Sequence, residues 1–156
     1  MDNRKSKILA TGALGENLVM DYLLESGKYD SVEYSDNQYD MHKDLIAINS
    51  GKRLKIEVKT RTVIRKYHAM PLEQSQWYKA DNSDTLYFVV NPTSMDEKIR
   101  IYEAKGDEGY QVVNEFGPRR TPTRMYDLSK MKLVKTVDDP SKIKQFYDLT
   151  TSSYKQ

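Results

Sequence analysis

Three observations predict an α/β domain. A helical spacing of apolar residues runs through residues 11–25. Two strand-like segments flank the turn composition Asn49-Ser50-Gly51-Lys52. An apolar run, Thr85-Leu86-Tyr87-Phe88-Val89-Val90, has the length and residue types of a buried strand. At 156 residues the chain is the size of one domain. A domain of this length buries roughly 70% of the surface its unfolded chain exposes, and so needs no staple.

Taken in order, the first element is a helix from Thr11 or Gly12 to about Glu25, ended by Ser26-Gly27. Residues 31–35 form a short strand, and residues 44–48 and 53–62 form two more around the turn. Pro71 opens a second helix that runs to about Ala80, because proline suits the first helical position. Residues 85–90 are the buried strand, ended by Asn91-Pro92. Residues 98–103 alternate with Ile99 and Ile101 inward, and residues 110–113 are a further short strand. Residues 117–123 carry Pro118 and Pro122 and form a loop. Asp127 opens a short helix or turn, Leu133-Val134 is a short strand, and residues 140–149 are a final helix. The order is α-β-β-β-α-β with a β-rich sequel. It gives one domain over 1–156, with a core over about 10–104, an extension over about 105–149 and a fraying tail at 150–156.

Composition excludes several kinds of chemistry. There are no cysteines, so disulfides, thiolate catalysis, zinc ribbons and iron–sulfur clusters are out. With only His42 and His68, any metal is expected to be hard and bound by oxygen. No apolar run approaches the ~18 residues of a membrane span. The start, Met1-Asp2-Asn3-Arg4-Lys5, leads into no signal-peptide pattern, so the expected compartment is the cytoplasm and no membrane partner is expected.

The net charge of +2 conceals local asymmetry. Asp21, Glu25, Asp30, Glu33, Asp36, Asp40 and Asp44 form an acidic stretch. Lys52, Arg53, Lys55, Lys59, Arg61, Arg65 and Lys66 form a basic one. Arg119, Arg120, Arg124, Lys130, Lys132 and Lys135 form another. Basic segments beside an acidic one suit a polyanion plus a divalent cation, although solvated surfaces carry such runs too.

The strand Leu54-Lys55-Ile56-Glu57-Val58-Lys59-Thr60 concentrates the chemistry. Strand side chains alternate, so Leu54, Ile56 and Val58 share the buried face, and Lys55, Glu57, Lys59 and Arg61 share the other. A two- or four-residue turn at 49–52 sets Ile48 opposite Arg53. Counting outward, Asp44 falls opposite Glu57 and Asp40 opposite Arg61. Opposed carboxylates with Cβ atoms about 4.5–5.5 Å apart repel unless a cation sits between them. Two such carboxylates can hold Mg²⁺ or Mn²⁺, and a lysine two residues on can serve an attacking water. A solvent-facing hairpin with cross-strand ion pairs is the simpler alternative. On the first helix, Glu16 shares a stripe with Val19, Met20 and Leu23, which makes it a candidate ligand or a carboxylate snorkelling at the stripe's edge.

Gly12-Ala13-Leu14-Gly15-Glu16, Asp44-Leu45-Ile46-Ala47, Ile56-Glu57-Val58-Lys59-Thr60 and Ser75-Gln76-Trp77 together resemble the PD-(D/E)XK nuclease superfamily. The likeness is greatest to its restriction-endonuclease-like and Holliday-junction-resolvase-like branches, and it covers about residues 12–90. It implies a restriction-endonuclease-like α-β-β-β-α-β core, with a mixed central sheet flanked by helices. It implies a metal-dependent endonuclease that cuts DNA to a 5′-phosphate and a 3′-hydroxyl with Mg²⁺ or Mn²⁺. Asp44 matches the first acid, with Asp40 as rival; Glu57 and Lys59 match the E-x-K, and Glu16 the helix-borne acid. The Val58 carbonyl matches a backbone metal ligand, and Gln76 a supporting polar position. No proline precedes Asp44, a departure from the pattern.

Arg61, Arg65 and Lys66 follow the E-x-K strand and are candidate phosphate contacts, with His68 and the Arg119, Arg120 and Arg124 group as weaker extensions of the path. Trp77 suits core packing. Many relatives cut two strands with two sites, so the resemblance allows a homodimer. A catalytically silent DNA-binding or assembly protein on the same fold is the alternative function, and a ribonuclease is another. The segment after Val90 is expected to carry substrate selection.

Overall fold

The computed structural model describes residues 3–34, 45–61, 68–90, 98–117 and 120–151. These build α1 (Asn3–Glu25), β1 (Ser31–Tyr34), β2 (Leu45–Asn49), β3 (Lys52–Arg61), β4 (Ala69–Glu73), a 3₁₀ turn (Gln74–Gln76), α2 (Trp77–Asp81), β5 (Thr85–Val90) and β6 (Ile99–Ala104). They continue through β7 (Tyr110–Phe116), β8 (Thr121–Asp127), a second 3₁₀ turn (Leu128–Lys130), β9 (Lys132–Val137) and α3 (Pro140–Thr151).

The main sheet has the order β1-β2-β3-β5-β6-β9. It is mixed, because β3 and β5 run parallel while the neighbouring pairs run antiparallel. A smaller antiparallel sheet has the order β4-β8-β7. Alternation along β5 explains the layering. Tyr87 and Val89 join Leu14, Leu18, Val19 and Leu23 of α1 and Phe146 of α3 in one core. Leu86, Phe88 and Val90 point the other way, to Met70, Leu72 and Tyr126 of the small sheet. The main sheet therefore lies between helices on one face and the small sheet with α2 on the other.

The β2–β3 turn has the expected register. Ser50 and Gly51 both have positive φ (51° and 81°), the signature of a two-residue type I′ hairpin. Asn49 pairs with Lys52, Ile48 with Arg53 and Leu45 with Ile56. The Asp30 carboxylate accepts a hydrogen bond from Ser50 N at 2.9 Å and clamps the turn.

Several elements differ from the sequence-based expectation. α1 begins at Asn3, well before Thr11, because neither Gly12 nor the residues ahead of it break a helix. Pro71 does not open a helix. It lies in β4, an edge strand of the small sheet, where a missing N–H is tolerated. The helix begins only at Trp77. Pro122 is in β8 rather than a loop. It sits beside the β7 bulge between Val113 and Phe116 and one residue past the last β4 pair, Glu73–Thr123, so neither partner needs its N–H.

Candidate active site

β3 presents Glu57 and Lys59 on the face turned toward α2 and the small sheet. Their parallel partners on β5 are Leu86 and Phe88, which belong to that side. Val58 faces away, packed with its side chain against the α1 core. Gln76 reaches the same face by a separate route. β4 leads into the 3₁₀ turn that ends at Gln76, and the Trp77 indole donates to Leu72 O at 2.8 Å, which closes this corner.

Three polar side chains meet there. Lys59 Nζ donates to Gln76 Oε1 at 2.6 Å and lies 3.0 Å from Glu57 Oε1. Glu57 is only 8% exposed, so a charged partner is needed to hold its carboxylate in place. Burial pushes the Lys59 ammonium below the ordinary lysine range. The Glu57 carboxylate opposes that shift, while Arg61 and Lys79 add to it. Glu57 also lines a small cleft of about 180 Å³, with Lys55 and Ile56 on the β3 wall and Tyr78, Lys79, Asn82 and Ser83 on the α2 wall.

Glu16 occupies a different position from these three. The buried stripe of α1 runs through Leu14, Leu18, Val19 and Leu23, with Gly15 also buried, and Glu16 lies half-buried at its margin. α1 covers the face opposite Glu57 and Lys59. The Tyr34 hydroxyl, which donates to Asn17 Oδ1, is raised in pKa by burial and by the nearby Glu16 and Asp21 carboxylates. Yet α1 crosses β3 close to the E-x-K segment. A Cβ on Gly15 would lie 1.9 Å from Thr60 Oγ1, so backbone and strand touch one residue beyond Lys59.

Asp44, its rival Asp40, Arg65, Lys66 and Arg119 lie outside the described residues. Arg61 is half-buried at the end of β3, and its guanidinium donates to Thr60 O at 2.9 Å. Exposed His68 begins the approach to β4 with φ of 49°. Arg124 is not a surface contact. It is buried, paired with Asp81 at 2.6 Å and stacked between the Trp77 and Tyr110 rings. Trp77 is accordingly a packing residue. Tyr78 and Lys79 were not singled out from the sequence. Their signal was an aromatic beside a lysine just after Gln76, and it acquires meaning only once α2 is known to start at Trp77.

Among the described residues, no three His, Cys, Asp or Glu side chains gather to hold a metal. Glu57 supplies one hard oxygen donor facing the cleft. Comparison with protein-family models, with curated proteins and with solved structures finds no match. No helix among the described residues is long and apolar enough to cross a membrane.

Proposed function

We propose that this chain is a metal-dependent nuclease that hydrolyses DNA phosphodiester bonds, on a restriction-endonuclease-like core. The observation that carries the reading is Lys59 Nζ held between Glu57 Oε1 and Gln76 Oε1 on one face of β3. That is the E-x-K pair and supporting glutamine of the resemblance, joined by geometry the resemblance did not use. The order of the main sheet also supports it: three antiparallel strands, then, after β4 of the small sheet and α2, β5 parallel to β3.

In this reading Glu57, the Val58 carbonyl and Asp44, next in sequence to Leu45, would hold Mg²⁺ or Mn²⁺, while Glu16 stands on the helix that covers the opposite face. Glu57 fits such an ion as a hard carboxylate beside a cleft. When bound, the ion polarises the phosphate and lowers the pKa of water. Lys59 manages the proton. A neutral amine still has two N–H groups for Glu57 and Gln76, and its lone pair can take a proton from the attacking water. Its lowered pKa makes that neutral form accessible below the usual lysine range. Water adds to phosphorus and gives its proton to Lys59, the bond to the 3′ oxygen breaks, that oxygen takes a proton from solvent water, and 5′-phosphate and 3′-hydroxyl ends remain. Arg61, Arg65 and Lys66 contact the phosphates.

The second reading, a DNA-binding protein without catalysis, is favoured by one observation: Lys59 already neutralises Glu57. One experiment separates the two. Supercoiled, linear and branched DNA, with an RNA control, are incubated with Mg²⁺, Mn²⁺ or EDTA across a pH series. The expected result is metal-dependent cutting whose rate rises with pH as Lys59 loses its proton, reduced at least 100-fold in Lys59→Ala. DNA binding without cutting under any metal would move the conclusion to the silent reading.

A further inference from the structure

We infer that Tyr78 is a stacking platform for an unpaired nucleotide, so that the preferred DNA carries a single-stranded segment beside the cutting site. The inference deepens the nuclease reading and rests on it.

α2 is short and uses its residues unequally. Ala80 is fully buried and Trp77 is packed into the core, but Tyr78 is 77% exposed, the most exposed large apolar side chain among the described residues. A tyrosine turned out to this extent adds little to the fold. It stands on the wall of the cleft that Glu57 lines, with Lys79 next to it and Lys55 across from it. Lys79 is close enough to Lys59 to bear on its proton affinity. An aromatic face flanked by cations is how single strands are bound without regard to sequence: bases stack on the ring and phosphates follow the charges. Bases inside a duplex are already stacked on their neighbours, so the ring can be used fully only by an unpaired one. At about 180 Å³ the cleft suits one planar group and is too small for a duplex. Asn82 and Ser83 on the same wall donate to Tyr78 O and Ala80 O, which leaves their side-chain oxygens as acceptors that do not select one base.

The test is binding without cutting. Fluorescence anisotropy in EDTA compares blunt duplex, single strand and duplex with a single-stranded tail, and 2-aminopurine in the tail reports stacking directly. The intact chain is expected to favour tailed and single-stranded DNA and to quench the 2-aminopurine. Tyr78→Ala is expected to weaken binding to those two DNAs about 10-fold and abolish the quenching, with blunt-duplex binding within about twofold. Tyr78→Phe should retain both, because the ring and not the hydroxyl is used. Loss of binding that is equal for all three DNAs, or no loss in Tyr78→Ala, overturns the inference and leaves the nuclease reading intact. Binding to none of the DNAs overturns both. The expected pattern from a chain that never cuts sustains Tyr78 as a platform while removing the catalytic reading.

Discussion

Gly15 leaves space for a hydrogen and little else. The methyl of an alanine there would lie 1.9 Å from Thr60 Oγ1 and 3.3 Å from Thr60 Cβ. Thr60 Oγ1 is buried and has no hydrogen-bond partner among the described residues. Glycine within a helix ordinarily costs about 1 kcal/mol relative to alanine, so Gly15→Ala would stabilise an open helix. Here the contact reverses the sign. Gly15→Ala is expected to destabilise the chain by about 1–3 kcal/mol, measured by urea denaturation. In a Thr60→Ala background the clash is removed and the cost should fall below about 0.5 kcal/mol, a coupling that a double-mutant cycle reads. An equal cost in both backgrounds would show that the helix does not approach β3 at Thr60. The same scale shows what the sequence could and could not disclose. The common face of Glu57 and Lys59 follows from strand alternation, and the hairpin register follows from Ser50-Gly51, so both were legible. Gln76 is different: its contact with Lys59 spans β4 and a 3₁₀ turn. No local spacing reveals that path, and only the resemblance pointed to Gln76. Glu16 was read from a stripe whose true centre is Leu14, Leu18 and Val19, and the residue lies at its margin.

At the scale of elements, one buried arginine joins α2 to the small sheet. Arg124 Nη1 and Nη2 reach the two Asp81 oxygens at 2.6 and 2.9 Å, and Nη1 also donates to Gly106 O at 2.9 Å. The pairing with Asp81 raises its pKa further above the usual range. Tyr126 donates to the same Gly106 carbonyl, and burial raises its phenol to about 12. A lysine cannot reproduce the planar fork or the stacking on Trp77 and Tyr110. Arg124→Ala is expected to cost about 3–5 kcal/mol, since it leaves Asp81 without its partner and empties a buried slot. Arg124→Lys should recover less than half of that loss. Urea denaturation followed by circular dichroism measures both, and a loss below about 1 kcal/mol for Arg124→Ala would exclude the pinning role. The sequence assigned Arg124 to a basic surface because charge runs do not state burial. Pro71 and Pro122 misled in a related way. A proline marks an element's start or a loop equally well until its strand partners are known: Pro71 lies in β4, whose partner β8 is far on in the sequence, and Pro122 lies in β8 itself. The continuous apolar run of β5 had no such ambiguity and was legible over its full length.

At the scale of the molecule, the last elements share the core of the first. β9 pairs with β6 at the far edge of the main sheet. α3 lies beside α1, with Phe146 fully buried and Ile143 nearly so, in the core that also holds Leu18, Ile56 and Val89. Lys135 of β9 forms an ion pair with Glu25 at the end of α1. The face of the sheet that bears Val58 and Thr60 is thus covered by helices drawn from both ends of the chain, and the opposite face, with Glu57 and Lys59, depends on how firmly that sheet is held. Phe146→Ala is expected to cost about 3–5 kcal/mol, the usual range for deleting a buried phenyl group. A chain ended at Met131 loses β9 and α3 together, which uncovers Ile99, Ile101 and the inner side of α1. It is expected to lose the cooperative thermal transition, with increased binding of a hydrophobic dye. Tyr78→Ala supplies the contrast: it changes an exposed side chain on the same molecule and should leave the melting temperature within about 2 °C. A truncated chain that still melts cooperatively would show that β1 to β8 with α1 and α2 are sufficient for folding. In that case the C-terminal segment could be removed while the position of Lys59 against Glu57 and Gln76 was kept.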